Sequence, residues 1–435
     1  MEQAVTDKIL VLIIPSGIAP AGKVEYNVFL YSPIVFTQRM VPIMKRLSDL
    51  TAGLVGQPML EILEIANALA ATGRTVHRFE VGDSDFDAYP HVIEATKQAL
   101  DQGHTKYVAS SGIEPLRQAI REYTAGKLGF TPDLNQIVTM PANSIIDFVI
   151  RCVANPGDEI ITLDPYFPTY EAVTSYTGVK QVTVPLREGF RLDAGDLEAR
   201  ITPQTRLIII NTPGNPTGAV MSEAEIRDVA AVAAKHDLYL LSDEIYAENI
   251  YEGRHFSPSF ADQCRERTII LSGFSKGHSM SGWRLGYAIG PAELIAKMGL
   301  MFNTVYTCLP PFIQHAGIAA LATERRLMDE RQAYYRALRD LMVSKLNDIP
   351  GVACATPAGA IYAFPDISGT GMTSKEFARF VLERAGVALT PGAFFGKRGE
   401  GHVRLCYLRS EETIAAACEA MKKALGGTKK AVKFA

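Results

Sequence analysis

A lysine within a run of small residues is the first group in this chain whose surroundings suggest chemistry. Lys276 lies in the segment 272–286, and Arg284 follows it within the same segment. An amine on a turn of small residues can approach a ligand closely, and a nearby arginine can hold a phosphate through paired N–H donors. Together they suit an aldehyde cofactor that carries a phosphate, such as pyridoxal 5'-phosphate (PLP), which binds lysine as a Schiff base. A surface lysine after a strand, with Arg284 in an ordinary ion pair, explains the segment equally well.

Polar residues after two other predicted strands could tune such a cofactor. A buried carboxylate keeps a pyridine nitrogen protonated, and Asp243 is the candidate, although a helix N-cap is an equally good interpretation. Tyr246 and Asn215 could donate hydrogen bonds to the phenolic oxygen of the ring. Asn215 lies in the loop 211–218, whose Asn, Pro and Gly residues could also form a simple turn. Because this loop is more rigid than a turn needs, we expect a cis X–Pro bond in it.

The phosphate, the ring face and the substrate need further groups. Phosphate binds to N–H groups at a helix start and to cations. Residues 141–144 follow a predicted strand and open an apolar helix, so the candidates for the phosphate are Ala142, Asn143, Ser144, Ser275 and Arg284. Phe167 could pack on the ring, although a lone aromatic is more often core. Arg404 could bind the substrate α-carboxylate across a domain cleft, although a strand arginine more often lies on a solvated face.

The elements that must position these residues form an α/β pattern. Short β-rich runs alternate with helical patterns at 136–139, 159–163, 179–184, 207–210, 238–241, 268–271 and 287–289. Several runs are almost wholly apolar, as strands buried on both faces of a mainly parallel sheet should be. Ser222 and Glu225 form a capping box for a helix that joins two of these strands. The candidate cofactor-binding residues Asn215, Asp243 and Lys276 follow the ends of predicted strands, where ligands bind in open α/β sheets.

A second, smaller α+β domain is predicted from both termini. Helical patterns occupy 325–346, 374–385 and 411–425, and strand-like runs occupy 351–355, 360–364 and 402–408. We expect an N-terminal arm at 1–45, the N-terminal part of the small domain at 46–85, a large PLP-binding domain at 86–325, and the C-terminal small domain at 326–435. Residues near 360–364 and 393–395 could form substrate pocket walls, but their types suit many substrates.

Composition excludes several classes of protein. The 435 residues contain 44 Lys and Arg against 47 Asp and Glu, a formal charge of -3, which argues against a nucleic-acid partner. The histidines form no ligand cluster, so we expect no metal. No apolar run reaches the roughly 20 residues of a membrane span. Six cysteines without a Cys-x-x-Cys pair are typical of reduced thiols in a cytoplasmic protein.

With these residues assembled, the chain resembles the class I aminotransferases, PLP-dependent enzymes of fold type I, and within them the bacterial aspartate/aromatic subgroup. The resemblance spans about residues 45–425 and rests on the lysine signature at 273–286, the Asn-Pro-Thr-Gly motif at 215–218, and Asp243-x-x-Tyr246. It implies a homodimer with shared active sites. The resemblance also implies that Tyr107 reaches the phosphate bound in the neighbouring subunit. It implies that Gly82 belongs to a mobile segment that closes over the substrate carboxylate.

Three positions depart from the family pattern. Pro141 stands where the family usually has glycine, and Gly273 stands where a phosphate-binding serine is common. Asn143 aligns with a lysine that dicarboxylate-specific relatives often carry, which argues against aspartate as the preferred substrate.

The predicted reaction is reversible ping-pong transfer of an amino group between an L-amino acid and a 2-oxo acid. Lys276 would act as base and then acid, and 2-oxoglutarate or pyruvate would be the acceptor. A C–S lyase, racemase, oxidase or cyclising enzyme of the same fold would share the cofactor. A PLP-sensing regulator would need a DNA-binding segment, and residues 1–45 show neither a basic cluster nor a helix-turn-helix pattern.

Overall fold

The computed structural model describes residues 48, 50, 54–56 and 61–426 with their side chains. It describes residues 10–18, 24–31, 59 and 60 by their backbone alone. Residues Met1–Ala52 form one unit and Gly53–Ala435 another. In the first unit, β1 (Leu10–Ile18) and β2 (Val24–Tyr31) pair as an antiparallel hairpin. The predicted arm at 1–45 therefore contains regular structure, and its boundary stays a prediction.

The second unit alternates helices and strands along its length. In chain order these are α1 (Met59–Ala71), β3 (His77–Arg78), α2 (Pro90–Asp101), α3 (Glu114–Leu128), β4 (Ile137–Met140), α4 (Ala142–Val153), β5 (Glu159–Asp164), α5 (Thr169–Thr177), β6 (Lys180–Pro185), α6 (Ala194–Glu198), β7 (Thr205–Asn211), α7 (Glu223–Lys235), β8 (Tyr239–Asp243), β9 (Thr268–Gly273), β10 (Gly286–Ile289), α8 (Ala292–Tyr306), α9 (Pro311–Leu321), α10 (Arg325–Asn347), β11 (Tyr362–Ala363), α11 (Ser374–Ala385), β12 (Val387–Ala388), β13 (Thr390–Pro391), β14 (Val403–Cys406) and α12 (Glu411–Gly426).

A seven-stranded mixed sheet is the centre of this unit. Its strand order is β4-β10-β9-β8-β7-β5-β6, and β10 runs antiparallel to both of its neighbours while the other pairings are parallel. All the strands predicted between residues 135 and 290 are confirmed. The α/β fold with a mainly parallel sheet flanked by helices is therefore confirmed too.

The apolar strands of this sheet are buried on both faces. In β7, Leu207 and Ile209 enter one hydrophobic cluster, whereas Ile208 and Ile210 enter another. Successive strand residues point to opposite faces, so two covered faces require an unbroken apolar run. The predicted capping box at the start of α7 is present as well, because the Ser222 hydroxyl accepts a hydrogen bond from the backbone N–H of Glu225.

The C-terminal residues form their own buried cluster together with a segment from before the large sheet. Phe79 packs in this cluster with residues of α10, α11, β14 and α12. Strands β11, β14 and β13 form a three-stranded sheet, and β12 pairs in parallel with β3. Pairing between β3 and β12 agrees with a small lobe built from both ends of the chain, but the exact domain boundaries remain predictions.

The three C-terminal helices are confirmed, but one of the predicted strands is wrong. The runs at 360–364 and 402–408 shorten to β11 and β14. Residues 351–355 form only an isolated bridge between Ala353 and Asp366. Here the side chain of Asn347 binds both the N–H and the carbonyl of Cys354, at 2.8 and 3.0 Å. A side chain thus satisfies backbone groups that a neighbouring strand would otherwise pair.

Three strand ends meet at one edge of the large sheet. Asn211 at the end of β7 lies opposite Asp243 at the end of β8, and β9 ends beside them at Gly273.

Among the described residues, no helix has both the length and the apolar character that a bilayer span requires. The same residues contain no group of three or more His, Cys, Asp or Glu side chains arranged to hold a metal.

Candidate active site

A cavity of about 460 Å³ opens at this edge of the sheet. It brings together every residue proposed from the sequence for cofactor or substrate except Ser144 and Tyr107. The residues that line it from that set are Gly82, Ala142, Asn143, Phe167, Asn215, Asp243, Tyr246, Ser275, Lys276, Arg284 and Arg404. They come from separate strand ends and from the C-terminal sheet, so the fold alone assembles them.

Lys276 follows β9 on a turn whose glycines are required by packing. A Cβ at Gly273 would lie 3.0 Å from the Cα of Gly286, and a Cβ at Gly277 would lie 2.6 Å from the Cβ of Glu248. The Nζ of Lys276 donates a hydrogen bond to the carbonyl of Gly82. Loss of hydration lowers the pKa of Lys276, and the nearby carboxylate of Asp83 only partly opposes that shift.

Asp243 is a buried carboxylate at the end of β8. It is 3% exposed, accepts a hydrogen bond from the Tyr170 hydroxyl at 2.8 Å, and accepts a longer one from the N–H of Ile245 at 3.3 Å. Burial raises its pKa to about 6, although both hydrogen bonds act in the opposite direction. Residues 245–248 form a turn and not a helix, so the alternative of a helix N-cap is wrong.

The loop that carries Asn215 is compact and tied to the sheet. The Asn211 side chain accepts a hydrogen bond from the N–H of Asn215 at 2.7 Å and donates one to the carbonyl of Asp243 at 2.9 Å. The expected cis bond is present at Asn215–Pro216, and Thr212–Pro213 is also cis. At Gly218 the backbone has a φ of +66°, and a side chain there would overlap Pro357. The segment is therefore an ordered loop, fixed by hydrogen bonds and close packing, and not a simple surface turn.

Arg404 is a buried cation without a counter-ion in the part of the chain that the structure describes. It is 1% exposed, and its guanidinium donates to Asn215 Oδ1 at 3.0 Å and to the carbonyl of Glu80 at 2.6 Å. The aromatic rings of Tyr362 and Phe395 lie 4.5 and 4.9 Å from its Cζ, and its Nε has no hydrogen-bond partner. The solvated-face alternative is wrong. A buried charge with only neutral partners favours an anionic ligand.

Tyr362 lines the cavity, although the sequence assigned it no individual role. Its hydroxyl lies 2.7 Å from that of Tyr246, and both side chains are buried. The sequence placed 360–364 among possible pocket walls, but nothing in it indicates that Tyr362 meets Tyr246, which lies 116 positions earlier. Only the pairing of β11 with β14 places it there.

The cavity lining includes the groups expected for phosphate. Ala142 and Asn143 are the first residues of α4, and Ser275 and Arg284 line the same cavity. Arg284 has a φ of 55°, which is rare for a residue with a side chain, and such positions cluster at functional sites. Its guanidinium donates to the carbonyl of Ser281 at 2.9 Å.

Two proposed residues lie outside this cavity. Ser144 lines a surface depression with Asp147 and Tyr176, because one residue further along α4 the side chain points elsewhere; Asn143 lines both this depression and the cavity. The backbone N–H of Ser144 donates to the carbonyl of Pro141 at 2.9 Å. The structure thus does not place Ser144 in the cavity that the other phosphate candidates line. Tyr107 is 84% exposed and does not line the cavity of its own subunit.

Comparison with known proteins identifies the family. Residues 74–421 match the family model described as Aminotransferase class I and II. An aspartate aminotransferase of Pyrococcus horikoshii is 38% identical over 356 residues, which is 80% of this chain and 90% of the relative. An arginine–pyruvate transaminase of Pseudomonas aeruginosa is 35% identical over 378 residues, which is 86% of this chain and 96% of the relative.

Solved structures agree with this result. The aspartate aminotransferase from Thermus thermophilus with maleate superposes with a TM-score of 0.84 at 34% identity, covering 88% of this chain and all of that chain. The chain belongs to the class I and II aminotransferase family, and it is a PLP-dependent transaminase. The resemblance seen in its motifs is confirmed, and none of these similarities favours a lyase, an oxidase or a cyclising enzyme.

Proposed function

We propose that PLP binds in the 460 Å³ cavity, joined to Lys276, and that the residues around it carry out transamination. The observation that carries the proposal is that Lys276 and Asp243 line one cavity, although neither forms an ion pair within the described residues. The amine has a lowered pKa and the carboxylate a raised one, and their hydrogen-bond partners in the described chain are all neutral. A bound cofactor would supply the imine carbon for the amine and the protonated ring nitrogen for the carboxylate.

The donor set fits each part of PLP. The N-terminus of α4, Ser275 and Arg284 suit the phosphate, and Asp243 suits the protonated ring nitrogen. Tyr246 and Asn215 suit the phenolic oxygen, and Phe167 suits the ring face. Bound PLP would accept the substrate amino group and withdraw electrons from the substrate Cα, which makes the Cα proton acidic.

Lys276 is proposed as the group that moves this proton. Burial lowers the pKa of Lys276 and so favours the neutral amine, whose Nζ would take up the proton from the substrate Cα and then release it on the cofactor side. The Lys276 amine donates a hydrogen bond to the carbonyl of Gly82, which belongs to the segment that we expect to close over the substrate. This hydrogen bond holds the amine against that segment.

Arg404 is proposed to bind the substrate α-carboxylate. Its free Nε and its neutral partners leave the positive charge available to an anion in the cavity. The cations that line the described cavity are Lys276, Arg284 and Arg404, and each has one of the roles above. A second carboxylate would find no further cation from this subunit, since Asn143 lies where a lysine could have served. We therefore propose a donor without a second carboxylate and pyruvate as the simplest acceptor.

The expected homodimer is part of the proposal. Leu300, Val305 and Tyr306 of α8 are exposed although they are large and apolar, as is Tyr107. Exposed apolar groups of this kind are typical of surfaces that pack against another protein. We propose that two copies associate through this region and that Tyr107 contacts the phosphate in the partner's site.

The function is tested with the purified PLP-loaded protein, screening amino donors against pyruvate, 2-oxoglutarate and oxaloacetate. We expect one 2-oxo acid formed for each amino product, and no turnover by Lys276→Ala with an unchanged circular dichroism spectrum. Release of ammonia or a thiol without an acceptor would support the lyase instead.

Borohydride reduction followed by peptide mapping gives a sharper test of Lys276. Lys127 is an internal control, because burial lowers its pKa to about 7 while its amine pairs with Glu248 outside the cavity. We expect the pyridoxyl adduct on the peptide with Lys276 and none on the peptide with Lys127. An adduct on any other lysine would contradict the proposal.

A further inference from the structure

Tyr362 contacts three of the proposed functional groups at once. Its hydroxyl lies 2.7 Å from the Tyr246 hydroxyl, and its ring lies 4.5 Å from the guanidinium carbon of Arg404. Against Gly82 the fit is so close that a Cβ there would lie 2.8 Å from the Cζ of Tyr362 and would overlap its hydroxyl. The roles proposed for Lys276, Arg404 and Tyr246 make no use of this side chain.

The two tyrosine hydroxyls have one proton more than their mutual hydrogen bond needs. Burial raises the pKa of Tyr362 to about 12 and that of Tyr246 well above its ordinary value, so both are protonated at neutral pH. One hydroxyl donates to the other, and the acceptor keeps its own proton for a third group. If Tyr246 donates to the phenolic oxygen of PLP, then Tyr362 must donate to Tyr246.

The ring of Tyr362 acts on Arg404 by a separate contact. A guanidinium within about 6 Å of an aromatic face is attracted to it, and the attraction is strongest away from water. Arg404 is almost fully buried, and Tyr362 and Phe395 lie against it in place of a counter-ion. The tyrosine ring therefore helps to keep the cation in its place in β14.

We propose that Tyr362 is a positioning residue that acts through Tyr246 on the phenolic oxygen of the cofactor, and through its ring on Arg404. This inference rests on the proposed function. Donation from Tyr362 polarises the Tyr246 hydroxyl and strengthens its hydrogen bond to the phenolic oxygen. When PLP is bound, a phenolic oxygen whose negative charge is stabilised by this hydrogen bond would hold less tightly the proton on the nitrogen that would join Lys276 to the cofactor.

The test is a pH titration of the visible absorbance of the resting holoenzyme, which reports that proton without any turnover. For Tyr362→Phe, we expect the midpoint to rise by about 0.5 pH unit, roughly a threefold gain in proton affinity. Tyr246→Phe should give a larger rise. The double variant should match Tyr246→Phe alone, because Tyr362 then has no hydroxyl through which to act.

Tyr407→Phe is the matched control. Its hydroxyl is equally buried and donates to the carbonyl of Ala360 at 2.9 Å, outside the cavity. We expect no shift of the midpoint in this variant. The ring contact is tested with KM for the 2-oxo acid, which should stay within about twofold in Tyr362→Phe and rise at least about threefold in Tyr362→Leu, where the aromatic face is lost.

The outcomes separate this inference from the function on which it rests. A normal wild-type titration that Tyr362→Phe leaves unchanged, or additive shifts in the double variant, would overturn the inference alone. A wild-type protein without a PLP absorbance band would overturn the proposed function and this inference with it.

Discussion

Nη1 of Arg404 donates a hydrogen bond to Oδ1 of Asn215 across 3.0 Å. Asn215 follows β7 of the large sheet, whereas Arg404 lies in β14 of the C-terminal sheet, 189 positions later. The proposed carboxylate-binding group is therefore held by the loop that also faces the proposed phenolic oxygen. A substitution of either side chain should therefore affect both carboxylate binding and the hydrogen bond to the phenolic oxygen.

Replacing Arg404 by lysine should weaken the handling of the substrate carboxylate. Lysine keeps the charge but loses the forked donors, and we expect kcat/KM to fall about 100-fold, or ~3 kcal/mol, mainly through KM. Steady-state kinetics measure this change. Arg379→Lys is the control, because Arg379 pairs with Glu383 on the exposed face of α11 and should show wild-type kinetics. An unchanged KM in Arg404→Lys would contradict the assignment.

Asp243 should make the PLP-free protein less stable as the pH rises. Its folded-state pKa of about 6 lies above the ordinary value of 3.8, so the folded chain binds more protons than the unfolded chain between these values. The free energy of unfolding should therefore decrease by about 1 kcal/mol from pH 5 to pH 8 through this group. Asp243→Asn should remove that part of the decrease, as measured by urea unfolding of the PLP-free proteins.

Asp237→Asn is the control for the pH experiment. Asp237 is almost fully exposed and pairs with Arg267 on the surface, so its replacement should leave the wild-type pH dependence in place. The assignment fails if Asp243→Asn and wild type lose the same stability between the two pH values.

Gly82→Ala should damage the site although it adds a single methyl group. The new Cβ would overlap the Tyr362 hydroxyl, which must shift away from Tyr246 or push the segment around Gly82 outwards. We expect kcat/KM to fall at least about tenfold, with a loss of ~1–3 kcal/mol in the free energy of unfolding.

Gly126→Ala in α3 tests whether the effect belongs to the site. No atom lies within 4 Å of the position that its Cβ would occupy, and alanine favours the helix by about 0.5–1 kcal/mol. The Gly126→Ala variant should be slightly more stable than wild type and equally active. Equal behaviour of the two glycine variants would show that the close approach at Gly82 has no functional consequence.

Tyr107 should act only across the proposed dimer. Tyr107→Ala should weaken PLP affinity about tenfold or more, because a hydrogen bond to a charged phosphate is lost. Heterodimers of Tyr107→Ala and Lys276→Ala subunits then contain one intact and one doubly altered site. We expect about half of the wild-type activity from purified heterodimers. Recovery no greater than that of Tyr107→Ala homodimers would place Tyr107 in its own subunit's site.

Local pattern by itself determined the strands of the large sheet and the residues at their ends. An unbroken apolar run such as 207–210 has to be covered on both faces, and parallel strands bring Asn211, Asp243 and the Lys276 turn to one edge. These inferences need only side-chain periodicity and strand direction, which the sequence carries directly.

Only the tertiary structure decided which side chains meet across long separations. Tyr362 reaches Tyr246 because β11 pairs with β14, and Arg404 is buried because aromatic rings cover it. Within the predicted strand at 351–355, the backbone of Cys354 binds the Asn347 side chain and forms no strand pairing. Helix geometry points the Ser144 side chain away from the cavity. Such outcomes depend on contacts between distant segments, whose energies no local window of sequence contains.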